Sequence, residues 1–467
     1  TELLLPDDLL TEHSVAHGFR TEITDEDCEE VEVLGWLYQF YISEKKDEVM
    51  ARKKAVPSED IPAVTQLFTP HWIVRYLVEN SLGRLWLLNR PGSKLKERMP
   101  YYIENEEEET DFLRIERPEE IKVIDPAVGN GHMLTYAFDL LYAIYEEEGY
   151  APSEIARLIL KHNLYGVDID PRAAQLASLA LVLKARERSR RFFQPEVRVR
   201  PNIIAMRDVR FEPGELREYV RALDLGPLFD EPVLELMRQF ENATTFGSLI
   251  QPVLGEKDIQ QLRRRIEERE LGSELFLAET HEKVLRVLEQ AEYLTQRYQV
   301  VVANPPYMAW NAMVGSLRTL LNTEFQESKA DLFSAFIRRG VLLSVSDGLL
   351  GYMSPNVWMY LSSHEPLRRY LLSQKTIITL VELPLGGFAG ATVQICAFAL
   401  HNRWSQGHRG AYIRLCEFRG TDNMASRALE AITNPACGWL FRVGEEDLLK
   451  IPGTPVAYWL RPKCVQV

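Results

Sequence analysis

The sequence predicts an α/β fold with a doubly wound, largely parallel sheet. Six short apolar runs rich in β-branched residues predict buried strands. Helical spacing follows each of the first two runs, at residues 132–149 and 171–191. Strand, helix, strand, helix in this order is typical of a sheet with helices on both faces. The six runs are residues 121–127, 164–170, 298–305, 347–355, 376–384 and 391–400.

Three stretches depart from this alternation. The last two runs are joined only by a short segment around residues 386–390, GGFAG, which predicts a hairpin and an antiparallel edge to the sheet. Residues 209–297 are charged with helical spacing, and we interpret them as a helical insertion whose charge belongs to a solvated arm. Residues 1–50 mix acids with apolar residues, which predicts short helices with an exposed polar face.

The net charge of −14, from 68 acidic and 54 basic residues, at first argues against a nucleic-acid partner. Two segments carry this excess, because residues 1–50 have a net charge of −11 and residues 101–120 have −7. The other 397 residues sum to +4. A composition of 46% apolar and 26% charged residues excludes a disordered, collagenous or membrane protein. It does not exclude DNA or RNA as a partner.

The cysteines and the termini indicate the compartment. The five cysteines lie far apart without a C-x-x-C pair, which predicts neither a zinc cluster nor a disulfide framework. No apolar run approaches the roughly 18 residues of a membrane span. We therefore expect a cytoplasmic protein with no membrane partner. Because the chain begins at Thr1 rather than at Met, we expect a piece of a longer chain.

The first candidate site is the segment DPAVGNGH at residues 125–132, which follows a predicted strand and opens a predicted helix. Gly129 and Gly131 let the backbone approach a ligand, and the helix N-terminus offers N–H groups. These features indicate a nucleotide-binding turn, with an ordinary tight turn as the alternative. NAD is the poorer ligand, because a third glycine and an acid about 20 residues further on are missing. The next acid at a strand end, Asp168, lies 39 residues after Gly129.

Asp168 and Asp170 follow the second predicted strand and share one of its faces. An acid at this position can accept hydrogen bonds from both hydroxyls of a ribose. The alternative is an N-cap for the helix that begins at Pro171. We assign the ligand role to Asp168 and the cap to Asp170.

The most specific signal is Asn304-Pro305-Pro306-Tyr307, which ends the buried run VVVA. The two prolines fix the backbone and remove two N–H donors. A rigid set of acceptors remains, formed by the Asn304 side-chain oxygen and the Pro305 carbonyl, and it matches an exocyclic amine. Tyr307 offers an aromatic face for a planar base. The alternative, a strand-ending proline turn, requires neither Asn nor Tyr.

Together these residues resemble S-adenosylmethionine-dependent amino-methyltransferases, specifically the N6-adenine DNA methyltransferases, over most of residues 65–400. LYGVDIDPRAAQLASLAL, NPPYMAWN and PGTPVAYW are especially similar to the large methyltransferase of BREX phage-defence systems, the PglX type. Type IIG restriction–modification enzymes and type I modification subunits are the next nearest. The resemblance implies a Rossmann-like methyltransferase fold with a mostly parallel, seven-stranded sheet.

The resemblance assigns a role to each motif. Residues 67–70, LFTP, resemble the most N-terminal cofactor motif, in which an aromatic residue packs on the cofactor. DPAVGNG resembles the glycine loop, with Val128 and Asn130 in place of the usual Cys and Ser, and Asp168 resembles the ribose acid. Asp208 stands where the family has an acid that faces the cofactor's adenine. The implied cofactor-binding residues are Phe68, Thr69, Pro70, Asp125, Ala127, Gly129, Asn130, Gly131, Asp168, Ile169 and Asp208.

The implied activity is methyl transfer from S-adenosylmethionine to the N6 amino group of adenine in DNA, for host-DNA modification in a phage-defence or restriction–modification system. The adenine is flipped out of the duplex, which otherwise hides its amine. Tyr307 stacks on it, with Tyr136 and Trp310 as candidate helpers, and no metal is required. His132 is predicted to pack its helix rather than to act as a base. The implied catalytic residues are Asn304, Pro305, Pro306 and Tyr307.

The resemblance also divides the chain. The predicted parts are a helical acidic N-terminal region at 1–64, a cofactor-binding half at 65–208, the insertion at 209–297, a catalytic half at 298–402, and a C-terminal extension or linker at 403–467. In this group, target recognition follows the catalytic half, and only 67 residues follow residue 400. We therefore expect a fragment that binds cofactor but reads DNA sequence poorly, with defence-complex proteins as further partners.

Three alternatives stay open at this point. The NPPY motif also serves methylation of glutamine amides in proteins or of bases in RNA. A degenerate methyltransferase could instead act as a cofactor-binding scaffold subunit of a defence complex. The basic run at residues 184–200 is either a phosphate contact or a solvated helix end.

Overall fold

The computed structural model describes residues 11–22, 24, 33–52, 55–65, 69–223, 227–268, 275–387 and 393–460. Within these ranges one nine-stranded sheet is flanked by helices, so the predicted α/β class is confirmed. The strands, numbered in chain order, are β1 (Val123–Asp125), β2 (Leu164–Asp168), β3 (Asn202–Ala205), β4 (Tyr298–Ala303), β5 (Ser344–Pro355), β6 (Thr376–Glu382), β7 (Ile395–His401), β8 (Gly410–Arg414) and β9 (Leu440–Val443).

The helices of the described ranges lie before, between and after these strands. None of them is both long enough and apolar enough to cross a membrane. They are α1 (Val15–Glu22), α2 (Val33–Ala51), α3 (Ile61–Thr65), α4 (His71–Val78), α5 (Arg84–Asn89), α6 (His132–Glu147), α7 (Pro152–Leu158), α8 (Pro171–Arg188), α9 (Glu215–Leu223), α10 (Pro227–Gln239), α11 (Ala243–Phe246), α12 (Glu256–Glu267), α13 (Leu275–Thr295), α14 (Gly315–Glu324), α15 (Leu332–Leu343), α16 (Glu365–Gln374), α17 (Thr421–Thr433) and α18 (Glu445–Leu449).

The strand order is β3-β2-β1-β4-β5-β7-β6-β8-β9. Strands β1 to β5 are mutually parallel, and β7 runs antiparallel to both of its neighbours, β5 and β6. The carboxyl ends of β2, β1 and β4 therefore lie side by side at one edge of the sheet. Ligands of open α/β sheets bind at this edge, where the strand order changes direction.

Two details of the predicted sheet are wrong. The antiparallel pairing of β6 with β7 is present as predicted, but it lies inside the sheet, because β8 pairs with the outer side of β6 and β9 pairs with β8. In the described part of the chain the sheet is thus nine-stranded rather than seven-stranded, and it is mixed, with five parallel and three antiparallel pairings. The two additional strands are short, and β8 becomes buried only through this long-range pairing.

Both faces of the sheet are covered, which explains the continuous apolar runs in the sequence. In β4, Val300 and Val302 pack into one buried cluster, while Val301 and Ala303 pack into the cluster on the opposite face. Strand alternation thus sends neighbouring residues to two different cores.

The helices between β3 and β4 pack against one of these faces and do not form the solvated arm that we expected. Ile259, Leu262 and Ile266 of α12 are buried, and so are Val284 and other residues along one side of α13. The charge of this stretch lies on the outer faces of amphipathic helices.

The segment near residue 455 is held to the sheet by a buried arginine. The Arg368 guanidinium of α16 donates hydrogen bonds of 2.5–3.2 Å to four backbone carbonyls. Tyr458 adds a hydrogen bond of 2.6 Å to Glu382 at the end of β6. The carbonyls bonded by Arg368 belong to Trp358, Leu361, Gly453 and Thr454.

We expect Arg368→Ala to lower the free energy of unfolding by about 2–4 kcal/mol, because it leaves buried carbonyls without a donor. The adjacent Arg369 is an exposed partner of Glu365 in a bond of 2.9 Å, so Arg369→Ala should change stability by less than about 0.5 kcal/mol. Urea unfolding followed by circular dichroism measures both values. Equal losses in the two variants would contradict the anchoring role of Arg368.

Candidate functional site

A single cavity lies at the carboxyl ends of β1, β2 and β4, with a volume of ≈ 1080 Å³ that includes its open mouth. The turns after all three strands contribute to its lining. Residues 125–130, 168–170 and 245–249 line it together with Thr69, Asn304 and Pro306. The structure thus brings together seven of the predicted cofactor-binding residues, which are Thr69, Asp125, Ala127, Gly129, Asn130, Asp168 and Ile169.

The glycine loop is shaped by the Asp125 side chain and by close packing against α8. The buried Asp125 carboxylate accepts the Ala127 N–H at 3.0 Å, and burial raises the pKa of Asp125 to about 8. Gly131 has a φ of +88°, and a Cβ there would lie 3.1 Å from Ala177 of α8. Only glycine meets both demands without strain, so this position lets α6 begin close against α8.

Asp168 connects the first two turns of the site. Its carboxylate accepts the Gly129 N–H at 2.8 Å and the Asp170 N–H at 2.8 Å. Burial is the largest influence on this carboxyl and raises its pKa to about 6, against the lowering effect of the two backbone donors. Each oxygen keeps acceptor capacity toward the cavity, since a carboxylate accepts about four hydrogen bonds.

Asp170 has the capping role that we predicted for it. Its side chain accepts the Arg172 N–H at 2.9 Å at the start of α8, and it also accepts the hydroxyl of Tyr38. Tyr38 belongs to α2, so this cap also ties the N-terminal helix to the turn after β2.

The NPPY segment presents its asparagine to the cavity. The Asn304 amide donates to Thr69 Oγ1 at 3.0 Å, and its Oδ1 accepts the Tyr307 hydroxyl at 2.6 Å. Pro306 lines the cavity, whereas Pro305 is buried beneath it. Because Thr69 takes the amide N–H, the side-chain oxygen of Asn304 faces Tyr307.

Asp331 and Phe333 hold the NPPY segment in place. Asp331 caps α15 and accepts the Met308 N–H at 3.0 Å, directly after the NPPY segment. The Phe333 ring meets the Tyr307 ring edge-on at 6.2 Å. The segment at residues 331–333 therefore holds the position of the tyrosine.

Several predicted residues lie away from the cavity lining. Asp208 faces Thr244, whose N–H and hydroxyl both donate to its Oδ1 at 2.8 Å. Tyr136 donates to Glu79 at 2.7 Å and does not line the cavity. Pro70, Gly131, Pro305 and Tyr307 adjoin lining residues without lining the cavity themselves, and Phe68 lies outside the described residues.

The basic run at residues 184–200 lies at the opposite edge of the sheet. Helix α8 starts after the carboxyl end of β2 and returns the chain to the amino end of β3. Two of its bases, Lys184 and Arg188, pair with Asp139 of α6 at 2.7 and 3.6 Å. This placement favours the solvated helix end over a phosphate contact beside the cavity.

Helix α2 covers the cavity, which the sequence did not indicate. Gln39 lines the cavity, and the Gly35 carbonyl accepts a hydrogen bond of 3.2 Å from the Asn130 amide. A Cβ on Gly35 would lie 2.6 Å from His132 Nε2. Asn130, which replaces the usual serine of the glycine loop, thus donates a hydrogen bond to helix α2.

The 245–249 segment is the other part of the lining that we did not foresee. Its signal is visible in retrospect, because residues 242–255 contain no charged residue within a highly charged region. The hydroxyl of Ser248 donates to the carbonyl of Pro126, which joins this segment to the glycine loop.

The sequence was compared with known proteins. Residues 162–388 match the family model of the Eco57I restriction-modification methylase. The chain is 39% identical over 490 residues to the adenine-specific methyltransferase BrxX of Escherichia coli O9:H4 (strain HS), covering 98% of this chain and 40% of that protein. It is 35% identical over 458 residues to the adenine-specific methyltransferase PglX of Lacticaseibacillus casei (strain Zhang), covering 94% of this chain and 38% of that protein.

Among solved structures, the ATP-dependent Type ISP restriction-modification enzyme LlaBIII bound to DNA is similar with a TM-score of 0.46 and 13% identity. That similarity covers 80% of this chain and 21% of the other.

The α/β sheet carries a cavity at the carboxyl ends of β1, β2 and β4, lined by most of the predicted site residues. The central region of the chain matches the Eco57I restriction-modification methylase family, and the predicted resemblance of the chain to BREX-type adenine-specific methyltransferases is confirmed. The chain spans 40% and 38% of the length of these two curated relatives.

We expect Gly35→Ala to displace α2 from the glycine loop, because the new methyl group would overlap His132. Amide hydrogen exchange within α2 should accelerate by about tenfold or more, even though alanine favours helix by about 1 kcal/mol. Gly18→Ala is the matched control, since it adds the same methyl group to α1 with nothing within 4 Å. Unchanged exchange in the Gly35 variant would contradict the close contact.

Proposed function

We propose that this chain transfers a methyl group from S-adenosylmethionine to the N6 amino group of adenine in DNA, within a phage-defence or restriction–modification system. The observation that carries the proposal is the placement of Asn304 on the same cavity as the glycine loop and Asp168. An acceptor for an amine thereby adjoins a site for a nucleoside. A Rossmann-like methyltransferase fold and defence-complex partners belong to the same proposal.

The residues of the cavity fit the cofactor. Asp168 offers two oxygens to ribose hydroxyls, and Ile169 next to it is apolar. Asp125 places a buried carboxyl at the centre of the lining, where it can face a cationic group. When bound, S-adenosylmethionine supplies an electrophilic methyl group.

The remaining residues orient the target amine. A flipped adenine brings its amine to Asn304 Oδ1 and to the Pro305 carbonyl, and both oxygens accept from it. In the structure the Tyr307 hydroxyl occupies Asn304 Oδ1, so the base amine replaces this hydrogen bond as it enters. Released in this way, the Tyr307 ring is available to stack on the base. These contacts favour transfer through positioning and electrostatics.

The decisive variant is Asn304→Ala, which we expect to lower the rate of methyl transfer to DNA about 10²- to 10³-fold, because an oriented acceptor is lost. The measurement is nucleoside mass spectrometry of N6-methyladenine after incubation with single-stranded or duplex DNA. Asn423→Ala, at an exposed position on α17, is the control and should act like the wild type. Calorimetry with S-adenosylhomocysteine verifies that the cavity of each variant is intact.

Two results would contradict the proposal. If the wild-type protein forms no N6-methyladenine on either DNA but methylates RNA or protein glutamine, the proposed DNA substrate is wrong. If the wild-type protein binds no S-adenosylhomocysteine, the proposed methyltransferase activity of this chain is wrong.

The affinity for S-adenosylhomocysteine should depend on pH through Asp168. Its pKa of about 6 means that the carboxylate is protonated in more acidic solution, and protonation turns an acceptor oxygen into a donor. Since ribose hydroxyls bind the ionised form, affinity should fall below pH 6, approaching about tenfold per pH unit. Calorimetry at a series of pH values tests this expectation.

The controls separate the two carboxyls of the cavity. Asp168→Asn should weaken binding at every pH and remove the midpoint near 6, whereas Asp125→Asn should leave that midpoint in place and remove any transition near pH 8. A midpoint near 6 that persists in Asp168→Asn would assign it to another group.

A further inference from the structure

Residues 243–249, here called the inserted wall, form one side of the cavity although they lie far outside the predicted motifs. The wall consists of α11 and the 3₁₀ turn Gly247–Leu249. It occupies part of the connection between β3 and β4. Thr245 to Leu249 all line the cavity, and Phe246 is the aromatic residue among them.

The inserted wall reaches the end of β2 at close range. Gly247 has a φ of +51°, and a Cβ there would lie 2.9 Å from the Ile169 side chain. Phe246, its neighbour, is partly exposed and packs against the same core cluster as Ile169. The glycine thus lets the wall approach the turn that carries the predicted ribose acid.

Strand order separates this region from the catalytic loop. Strand β1 lies between β2 and β4, so the turns after β2 and β4 are about 10 Å apart, two strand spacings. Gly247 of the inserted wall adjoins Ile169 directly after β2, whereas Asn304 and Pro306 follow β4. A nucleoside whose ribose meets Asp168 therefore has its base near Ile169 and Phe246.

Three anchors fix the inserted wall. Asp208 accepts both the N–H and the hydroxyl of Thr244 at 2.8 Å. The hydroxyl of Ser248 donates to the carbonyl of Pro126. Arg339, a buried residue of α15, donates to the carbonyl of Ser248 at 2.7 Å.

Arg339 also bonds the carbonyls of Ile250 and Leu294, at 2.8 and 2.9 Å. Each of these three attachments orders backbone at an entropic cost. Their number indicates that the inserted wall has a role at the cavity rather than being an ordinary surface loop.

We propose that Phe246 is a specificity-determining residue for the planar base of the nucleoside ligand, opposite Ile169, and that Asp208 is a positioning residue which acts through Thr244. The identity of the ligand as S-adenosylmethionine rests on the proposed function. The inference differs from the family resemblance, which assigned Asp208 a direct contact with the base. Here Asp208 fixes the wall that carries the aromatic contact.

The test is calorimetric titration of the 467-residue chain with S-adenosylhomocysteine. Phe246→Ala should raise Kd by about tenfold or more, because base stacking on an aromatic ring is lost, while Phe246→Tyr should stay within about threefold of the wild type. Phe246→Leu keeps an apolar side chain of similar size without an aromatic face, and it should resemble Phe246→Ala. Phe193→Ala is the control, since Phe193 is an exposed aromatic residue outside the cavity.

A second ligand tests the role of Asp208. S-inosylhomocysteine has a carbonyl where the adenine amine stands, so it distinguishes a direct contact from positioning. We expect Asp208→Ala to weaken both ligands by the same factor, and Asp208→Asn to restore both, because asparagine keeps the oxygen that accepts from Thr244. A direct contact with the amine would instead weaken only S-adenosylhomocysteine in Asp208→Ala.

The outcomes separate this inference from the proposed function. If the wild type binds the ligand and Phe246→Leu binds it with equal affinity, Phe246 contributes only apolar packing. This result would overturn the inference and leave the proposed function standing. Loss of only the adenine-containing ligand in Asp208→Ala would overturn the positioning role. Absence of any binding by the wild type would overturn both proposals.

Discussion

The hydrogen bond from the Gly129 N–H to the Asp168 carboxylate joins the turns after the first two strands, and the geometry of the site depends on it. The same carboxylate accepts the Asp170 N–H, and Asp170 in turn caps α8 and accepts the Tyr38 hydroxyl. A continuous polar network thus runs from the glycine loop to the helix that covers the cavity. Because a carboxylate has few acceptor positions, each one used for the fold leaves fewer for a ligand. The Gly129 and Asp170 N–H groups bond different oxygens of Asp168, so each oxygen retains acceptor capacity for a ligand.

The parts of the fold that local sequence determines were predictable. Strands β1 and β2 are apolar runs that end in an aspartate, β4 is followed directly by Asn304, and the carboxyl edge of a parallel sheet gathers such residues. The glycine loop, Asp168 and the NPPY segment are contiguous patterns whose chemistry is visible without a partner. For this reason the cavity contains most of the predicted residues, although their roles stay predictions until the variants are measured.

Long-range contacts explain what the sequence could not show. Strand β8 is short, and only its pairing with β6 buries it in the sheet. Gly35 and Asn130 are 95 residues apart, and Ser248 and Pro126 are 122 apart, so no periodicity connects them. For Asp208, the family resemblance placed an acid near the cofactor but could not identify its partner in this chain. Thr244, 36 residues further along the chain, supplies two donors to Oδ1 of Asp208.

The hydrogen bond between Tyr307 and Asn304 has a consequence for which bases the site admits. Without a base, Asn304 Oδ1 accepts a phenolic donor, and under the proposed function the amine of a nucleobase takes the place of this hydroxyl. This replacement conserves the hydrogen bond to Asn304 only when the incoming base has a donor of its own. Thymine presents a carbonyl where adenine presents an amine, and it would leave Asn304 facing another acceptor, a mismatch that costs about 1–3 kcal/mol in a buried position. Under the proposed function, the Asn304 oxygen therefore disfavours a pyrimidine without an amine before any chemistry begins.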